Sequence, residues 1–196
     1  MEIVRPSVIN TDNTDVLRNH IDAILCGQEN GLVFSSDVFG RSIDYAERLG
    51  LSGGVNSTTM PFNYDDSSEG FNDSDRPSHE DWESLGVTPL HADGAEGDRI
   101  LSISKCHSGA YSIYIANRGP AIIDQSPVEL WDSLHEDTVN ILARGTVNTE
   151  NLDSKITRLD IAMGQTAIFN PSRPHMGVTR QAPRRVDTTF YTDKRQ

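Results

Sequence analysis

Three residues of this chain have the types and spacing of a metal-ligand set: His91, Asp93 and His175. Two imidazoles and one carboxylate can hold Fe(II) and leave coordination positions open for substrate and dioxygen. Side chains two residues apart on a strand point to the same face, so His91 and Asp93 can reach one ion while Ala92 points away. His175 must then come from a distant strand, which a rolled-up sheet can supply. We therefore expect these three residues to bind one Fe(II).

The neighbourhood of His175 adds a second feature. An apolar, strand-like segment, 166–169, precedes it, and Arg185 follows ten residues later inside another strand-like segment, 184–191. This order of a His-x-Asp pair, a distal His and then an Arg resembles that of the Fe(II)- and 2-oxoglutarate-dependent oxygenases. The resemblance covers roughly residues 85 to 192, about half of the chain.

The resemblance implies a fold, a set of cofactors and a reaction. The fold is mainly β: a double-stranded β-helix (jelly roll, cupin-like) with flanking α-helices. Fe(II), 2-oxoglutarate and dioxygen are the cofactor and cosubstrates, and succinate and carbon dioxide are released as the substrate is hydroxylated, desaturated or cyclised. Arg185 stands where the family has the cation that binds the remote carboxylate of 2-oxoglutarate. A guanidinium suits this role because it binds a carboxylate through two hydrogen bonds.

The residues around this arginine leave two points open. Neighbouring residues of a strand point to opposite faces, so only one of Arg184 and Arg185 can face the barrel interior, and we expect Arg185. Family members often carry Ser or Thr two positions later, where this chain has Asp187. Thr188 or Thr189 would then have to take that place.

Further candidates come from the predicted strands and from the segment before His91. Alternating apolar and polar residues in 98–104 and 110–115 predict strands of a barrel with a partly polar interior. We expect Ser102 and Thr189 to help bind the cosubstrate. The candidate substrate contacts are Arg99, Trp82, Tyr114 and Arg173.

The length predicts a single domain over residues 1–196, which the resemblance implies is an oxygenase domain. Residues 1–50 supply an N-terminal strand and helices, over about 15–25 and 41–49. Residues 52–86 are polar, with eight acidic residues and one Arg between positions 65 and 83. Long loops without periodic structure are often lids, so we expect this segment to be mobile without substrate and to order over the iron; the alternative is a solvated insertion.

Residues 87–192 are predicted to form the jelly-roll core. The pattern predicts a turn at His107–Gly109 between two strands and a helix over about 128–143, where apolar residues recur every three or four positions. The remaining predicted strands are 121–124, 155–162, 166–169, 176–180 and 186–192.

Charge and cysteine content bear on partners and location. The formal net charge is −12, and no cluster of Lys and Arg offsets it before the last two dozen residues. Because phosphate binding needs a basic surface, we expect a small-molecule substrate and no nucleic acid. No apolar run approaches the roughly 20 residues that cross a membrane, so no membrane partner is expected. Cys26 and Cys106 form no disulfide framework, which favours the reducing cytoplasm; the oligomeric state stays open.

Three functions compete at this point. The first is an oxygenase of the 2-oxoglutarate-dependent dioxygenase type, acting on an amino acid or derivative in specialised metabolism. The second is a hydroxylase of peptides or proteins, of the prolyl hydroxylase type. The third is a non-catalytic, metal-binding sensor of the cupin type. Arg185 argues against the third function, because a structural metal site needs no cation ten residues after its last ligand.

Overall fold

The computed structural model describes residues 2–38, 40–51, 53–58, 87–93, 99–116, 127–132, 137–142 and 155–193. The prediction of a mainly β chain is confirmed. The elements are β1 Glu2–Val4, β2 Ile9–Asn10, α1 Thr14–Leu25, β3 Gly31–Ser35, α2 Ser42–Arg48, β4 Gly53–Thr58, β5 Val87–His91, β6 Ile100–Ala116, β7 Pro127–Asp132, β8 Asp137–Leu142, β9 Lys155–Ala162, β10 Gln165–Phe169 and β11 His175–Asp193.

Two long antiparallel strands, β6 and β11, form the centre of the sheet. They pair from His175 opposite Ile115 to Thr192 opposite Ile100, with irregular register between residues 179 and 186 of β11. In the described residues nine strands form one mixed sheet, and β7 and β8 form a separate pair. Extra residues in one strand of a pair bend it and increase its twist, so the irregular register is where the sheet curls.

The curl divides the sheet into two arms. The helix arm contains β2, β3, β10, β4, residues 100–106 of β6 and residues 186–193 of β11. The histidine arm contains β1, β9, β5, residues 110–116 of β6 and residues 175–181 of β11. Gly109 lies at the bend of β6 with φ 71°, a conformation that favours glycine.

The outer face of the helix arm is covered by α1 and α2. Asn13 begins α1, because its side-chain oxygen accepts hydrogen bonds from the backbone N–H groups of Asp15 and Val16. Apolar residues of the helix then recur on one face and pack against the sheet. The core so formed contains Leu17, Ile21, Ile24, Leu25, Leu32, Phe34, Tyr45, Leu49, Leu101, Ile103, Ile168 and Tyr191.

A second core fills the concave side, between the two arms. It contains Val33, Cys106, Tyr111, Ile113, Ile115, Leu159, Ile161, Ala167, Phe169 and Val186. Side chains alternate along a strand, and Leu101 and Ile103 face the helices, so Ser102 and Ser104 face the concave side. The hydroxyl of Ser104 lies 2.9 Å from that of Thr188, which places Thr188 on the concave side as well.

Two predicted elements are wrong. No chain reversal occurs at residues 107–109, because β6 runs through them with β11 alongside, and Gly109 produces a bend only. The expected helix over 128–143 is replaced by β7 and β8, which pair antiparallel. β-branched and aromatic residues favour strands, and here they outweigh the helix-like spacing; they are Val128, Trp131, Thr138, Val139 and Ile141.

The predicted lid is in part a strand. Residues 53–58 form β4, which pairs antiparallel with residues 188–193 of β11. On the side of β11 that faces away from β6, the backbone N–H and C=O groups can pair with any extended segment, so a polar sequence can join the sheet there. Residues 59–86 of the predicted lid and the expected strand 121–124 lie outside the described residues. Among the described helices, none is long and apolar enough to cross a membrane.

Asp187 joins the sheet to the first turn of α2. Its carboxylate accepts hydrogen bonds from the backbone N–H and the hydroxyl of Ser42, both at 2.8 Å. The first N–H groups of a helix have no partner within it, so this contact replaces a helix cap. The residue that departs from the family pattern therefore faces α2.

We predict that Asp187→Ala lowers the free energy of unfolding by about 1–3 kcal/mol, because two buried donors lose a charged acceptor. Urea denaturation measures the loss. Asp15→Ala is the matched control, since the Asp15 side chain is 82% exposed and its removal should change stability by about 0.5 kcal/mol or less. Equal losses in the two variants would show that Asp187 does not anchor α2.

Candidate metal centre

Strand pairing brings the two histidines together. β5 runs antiparallel to the start of β11, and His91 lies directly opposite His175. On its other side His175 is opposite Ile115, a member of the concave core. Residues directly opposite each other share one face of a sheet, so both imidazoles lie on the concave side of the histidine arm.

Asp93, two residues after His91, completes the group. Its Oδ1 lies 3.4 Å from Nε2 of His91, and its Oδ2 lies 3.7 Å from Nε2 of His175. The ligand atoms of the three residues all lie within 4.8 Å of one another. Both histidines thus present Nε2 to the same point, beside one carboxylate.

Backbone and burial fix the state of His175. Its Nδ1 lies 2.8 Å from the carbonyl oxygen of Arg173. A carbonyl can only accept, so Nδ1 carries the proton and Nε2 keeps its lone pair. Burial and the neighbouring His91 lower the pKa of His175 to about 3. A neutral imidazole with a free Nε2 is the form that binds a metal.

The surroundings hold the two rings in place. The ring centroids of His91 and His175 are 4.3 Å apart, and the ring of Phe169 packs against His175 at 4.9 Å. His175 is 6% exposed, whereas Asp93 is exposed. The group is therefore walled by the concave core on the His175 side and open to solvent on the Asp93 side.

The donor set fits a divalent transition metal. Two imidazole nitrogens and one carboxylate match the ligand set of mononuclear Fe(II) sites, which keep coordination positions open for other ligands. The hydrogen bond from Nδ1 of His175 to a backbone carbonyl is the outer contact that usually orients a ligating histidine. His91, Asp93 and His175 would hold the ion.

The two arginines face the opposite way from the prediction. Arg184 is buried, at 4% exposed, and its guanidinium lies 5.2 Å from the ring centroid of Tyr111 in the concave core. Arg185 is exposed. The irregular register between residues 179 and 186 explains the reversal, because an extra residue in a strand shifts which side chains face inward.

The two residues predicted to contact the cosubstrate lie on opposite faces of the sheet. Ser102 is buried and faces the concave side, where its hydroxyl lies 3.4 Å from that of Ser104. Thr189 faces the helices and contacts the hydroxyl of Ser42, so it is on the wrong side of the sheet. Of the two threonines considered, Thr188 is the one that faces inward.

The described side chains that were predicted to contact substrate are dispersed, and Arg173 contacts His175 through its backbone carbonyl. Tyr114 lies on the opposite face of the histidine arm, where it contacts Arg158 and Arg180. Arg99 is half-buried just before β6, at the far end of the helix arm. Arg173 is half-buried, and its guanidinium lies beside Gly27 at the end of α1. Trp82 lies outside the described residues.

Sequence reasoning missed Phe169 as the wall of the site and chose Arg185 over Arg184 as the inward cation. Phe169 ends the apolar, strand-like segment that precedes the turn leading to His175, and its position there was a usable signal. No sequence signal indicated that Arg184 points inward, because its direction depends on how β11 pairs with β6. The chain matches no protein-family model and no curated protein sequence.

We predict that Asp93→Ala and His175→Ala each weaken Fe(II) binding by more than the roughly 10- to 100-fold that the loss of an outer contact costs. Anaerobic titration followed by metal analysis measures it. His20→Ala is the control, since His20 pairs with Glu29 away from this group. Normal iron binding by both site variants would rule out this metal centre.

Proposed function

We propose that this protein is an Fe(II)- and 2-oxoglutarate-dependent oxygenase that oxidises a small molecule. The curled sheet would be the double-stranded β-helix of that superfamily. One observation carries the proposal: two histidines and an aspartate meet on the same concave surface that buries an arginine. A metal-ligand group alone would fit many roles, whereas a group with a buried cation further inside suits a cosubstrate with two carboxylates.

The three ligand residues would act together. Asp93 would supply a negatively charged ligand that partly neutralises the ion, and the imidazoles of His91 and His175 would supply nitrogen ligands without further charge. When bound, Fe(II) with 2-oxoglutarate and dioxygen supplies the oxidising power to remove a hydrogen atom from the substrate, with release of succinate and carbon dioxide. Phe169 and the apolar residues beside it would keep water from the inner side of the site.

Arg184 would hold the remote carboxylate of 2-oxoglutarate, the role first expected of Arg185. His175 is opposite Ile115, and Arg184 packs on Tyr111, four residues earlier in β6. Four residues of strand span roughly 13 Å, which an arginine side chain and a five-carbon dicarboxylate can bridge together. A buried carboxylate needs a fixed partner because an unpaired charge there is costly.

Hydroxyl groups would serve the same ligand. Ser102, Ser104 and Thr188 line the concave side of the helix arm, and they can donate hydrogen bonds to carboxylate oxygens. The remaining concave residues, from β3, β9, β10 and residues 111–115 of β6, are mainly apolar. A carboxylate end of the ligand would therefore lie beside these hydroxyl groups.

The proposed substrate class rests on the charge of the chain. With a formal net charge of −12, the chain suits a small molecule better than nucleic acid, and an amino acid or a derivative remains the proposed class. Substrate would approach from the solvent-exposed Asp93 side. Hydroxylation, desaturation and cyclisation all begin with removal of a hydrogen atom.

We predict that the purified protein forms succinate from 2-oxoglutarate when Fe(II) and dioxygen are supplied, and that amino acid substrates raise the rate. Mass spectrometry of metabolite mixtures identifies products that gain oxygen or lose hydrogen. The Asp93→Ala variant is the negative control. Succinate formation that is absent, or that is equal in Asp93→Ala, would refute an oxygenase and favour a metal-binding sensor.

We predict that Arg184→Ala weakens 2-oxoglutarate binding by roughly two to four orders of magnitude, because losing one partner of a buried charge pair costs about 3–5 kcal/mol. Arg185→Ala is the matched control and should bind normally, since Arg185 is exposed. Anaerobic titration of 2-oxoglutarate into the Fe(II)-loaded proteins measures both. A loss confined to Arg185→Ala would mean that the outward residue is the anchor.

A further inference from the structure

One short turn, residues 170–174, touches two of the three candidate ligands through its backbone. The carbonyl of Pro171 accepts a hydrogen bond from the backbone N–H of Asp93 at 2.8 Å. The carbonyl of Arg173 accepts from Nδ1 of His175, also at 2.8 Å. The directions of these two carbonyls thus help to place the backbone of Asp93 and set which nitrogen of His175 faces the site.

The same turn is tied to the sheet. The carbonyl of Pro174 accepts a hydrogen bond from the backbone N–H of Ala116, at the end of β6. Two prolines restrict the backbone of the turn, at positions 171 and 174. The turn is therefore a rigid link between β10, which ends at Phe169, and β11, which begins at His175.

Asn170 organises this turn from within. Its side-chain oxygen accepts two hydrogen bonds from Ser172, from the backbone N–H at 2.9 Å and from the hydroxyl at 2.7 Å. Its backbone carbonyl accepts from the N–H of Arg173 at 3.2 Å. Asn170 and Ser172 are only 7% and 5% exposed, so water cannot easily replace these contacts.

We propose that Asn170 is a positioning residue for the metal centre, acting on Asp93 and His175 through the carbonyls of Pro171 and Arg173. This inference rests on the proposed function in so far as that function requires the metal. Without the acceptor on Asn170, the backbone N–H and the hydroxyl of Ser172 lose these two hydrogen bonds, and the turn has to rearrange. His175 could then carry its proton on Nε2, which would block metal binding at that nitrogen.

The size of the effect follows from the role of outer contacts. Loss of the partner that orients a metal ligand typically weakens metal binding by about 10- to 100-fold. Asn170→Ala should fall in this range. Asn170→Asp keeps an oxygen that can accept both hydrogen bonds of Ser172, so it should bind metal much more nearly as the wild type does.

Asn13→Ala is the matched control. Like Asn170, Asn13 accepts two hydrogen bonds with its side-chain oxygen. They come from the backbone N–H groups of Asp15 and Val16, at the start of α1. Its removal should lower stability without changing metal affinity or the protonation of His175. A loss common to Asn13→Ala and Asn170→Ala would therefore reflect stability alone.

The test has two readouts on the full-length chain. Titration with Co(II), which absorbs visible light in sites of this kind, gives the dissociation constant and the ligand-field spectrum. Long-range proton–nitrogen NMR of the metal-free protein gives the tautomer of His175. We expect weaker binding, an altered spectrum and an Nε2-protonated fraction in Asn170→Ala, all restored in Asn170→Asp. If Asn170→Ala fails to fold, Ser172→Ala removes the hydroxyl contact alone and should shift the same readouts less.

The outcomes separate this inference from the proposed function. If the wild type binds no Co(II), the metal centre and the oxygenase proposal fail, while the NMR of the metal-free protein still decides whether Asn170 fixes the His175 tautomer. If the wild type binds Co(II) and Asn170→Ala matches it in affinity and tautomer, the positioning role of Asn170 is refuted and the metal centre stands.

Discussion

The pairing of β6 with β11 is the constraint on which the rest of the structure depends. Along one strand, β11 supplies a histidine to the candidate metal centre, a buried arginine to the concave core and the aspartate that caps α2. Because side chains alternate, the register of this one pair decides which of these groups point inward. The irregular segment between residues 179 and 186 lets His175 and Arg184 share the concave side.

The sequence was sufficient where the physics is local. His91 and Asp93 are two residues apart, so strand geometry predicts a common face. In the structure β5 ends at His91, and Asp93 follows beyond the strand, where its backbone N–H donates to the carbonyl of Pro171. The face of the sheet to which Arg184 points is not set by local sequence, since it depends on how β11 pairs with β6. The predicted helix over 128–143 is wrong for a related reason: the apolar spacing fits a helix, whereas the antiparallel pairing of β7 with β8 is not readable from that spacing.

The two faces of the histidine arm carry different chemistry. The concave face holds the histidines among apolar side chains. On the other face, Asp160 accepts hydrogen bonds from Ser112 and Arg158, and the guanidinium of Arg158 lies over the ring of Tyr114. Alternation sends adjacent residues to different surroundings, which is why Tyr114, plausible from its strand position, is separated from the site by the sheet itself.

The irregular segment of β11 also limits how this protein can vary in length. Deleting or adding one residue between 180 and 185 would shift every later position of the strand by one, exchanging the surroundings of Thr188 and Thr189 and turning Asp187 away from α2. Deleting or adding two residues would leave each later side chain of β11 on its present face of the sheet. Homologous chains should therefore conserve whether this segment has an odd or even number of residues more strictly than its composition.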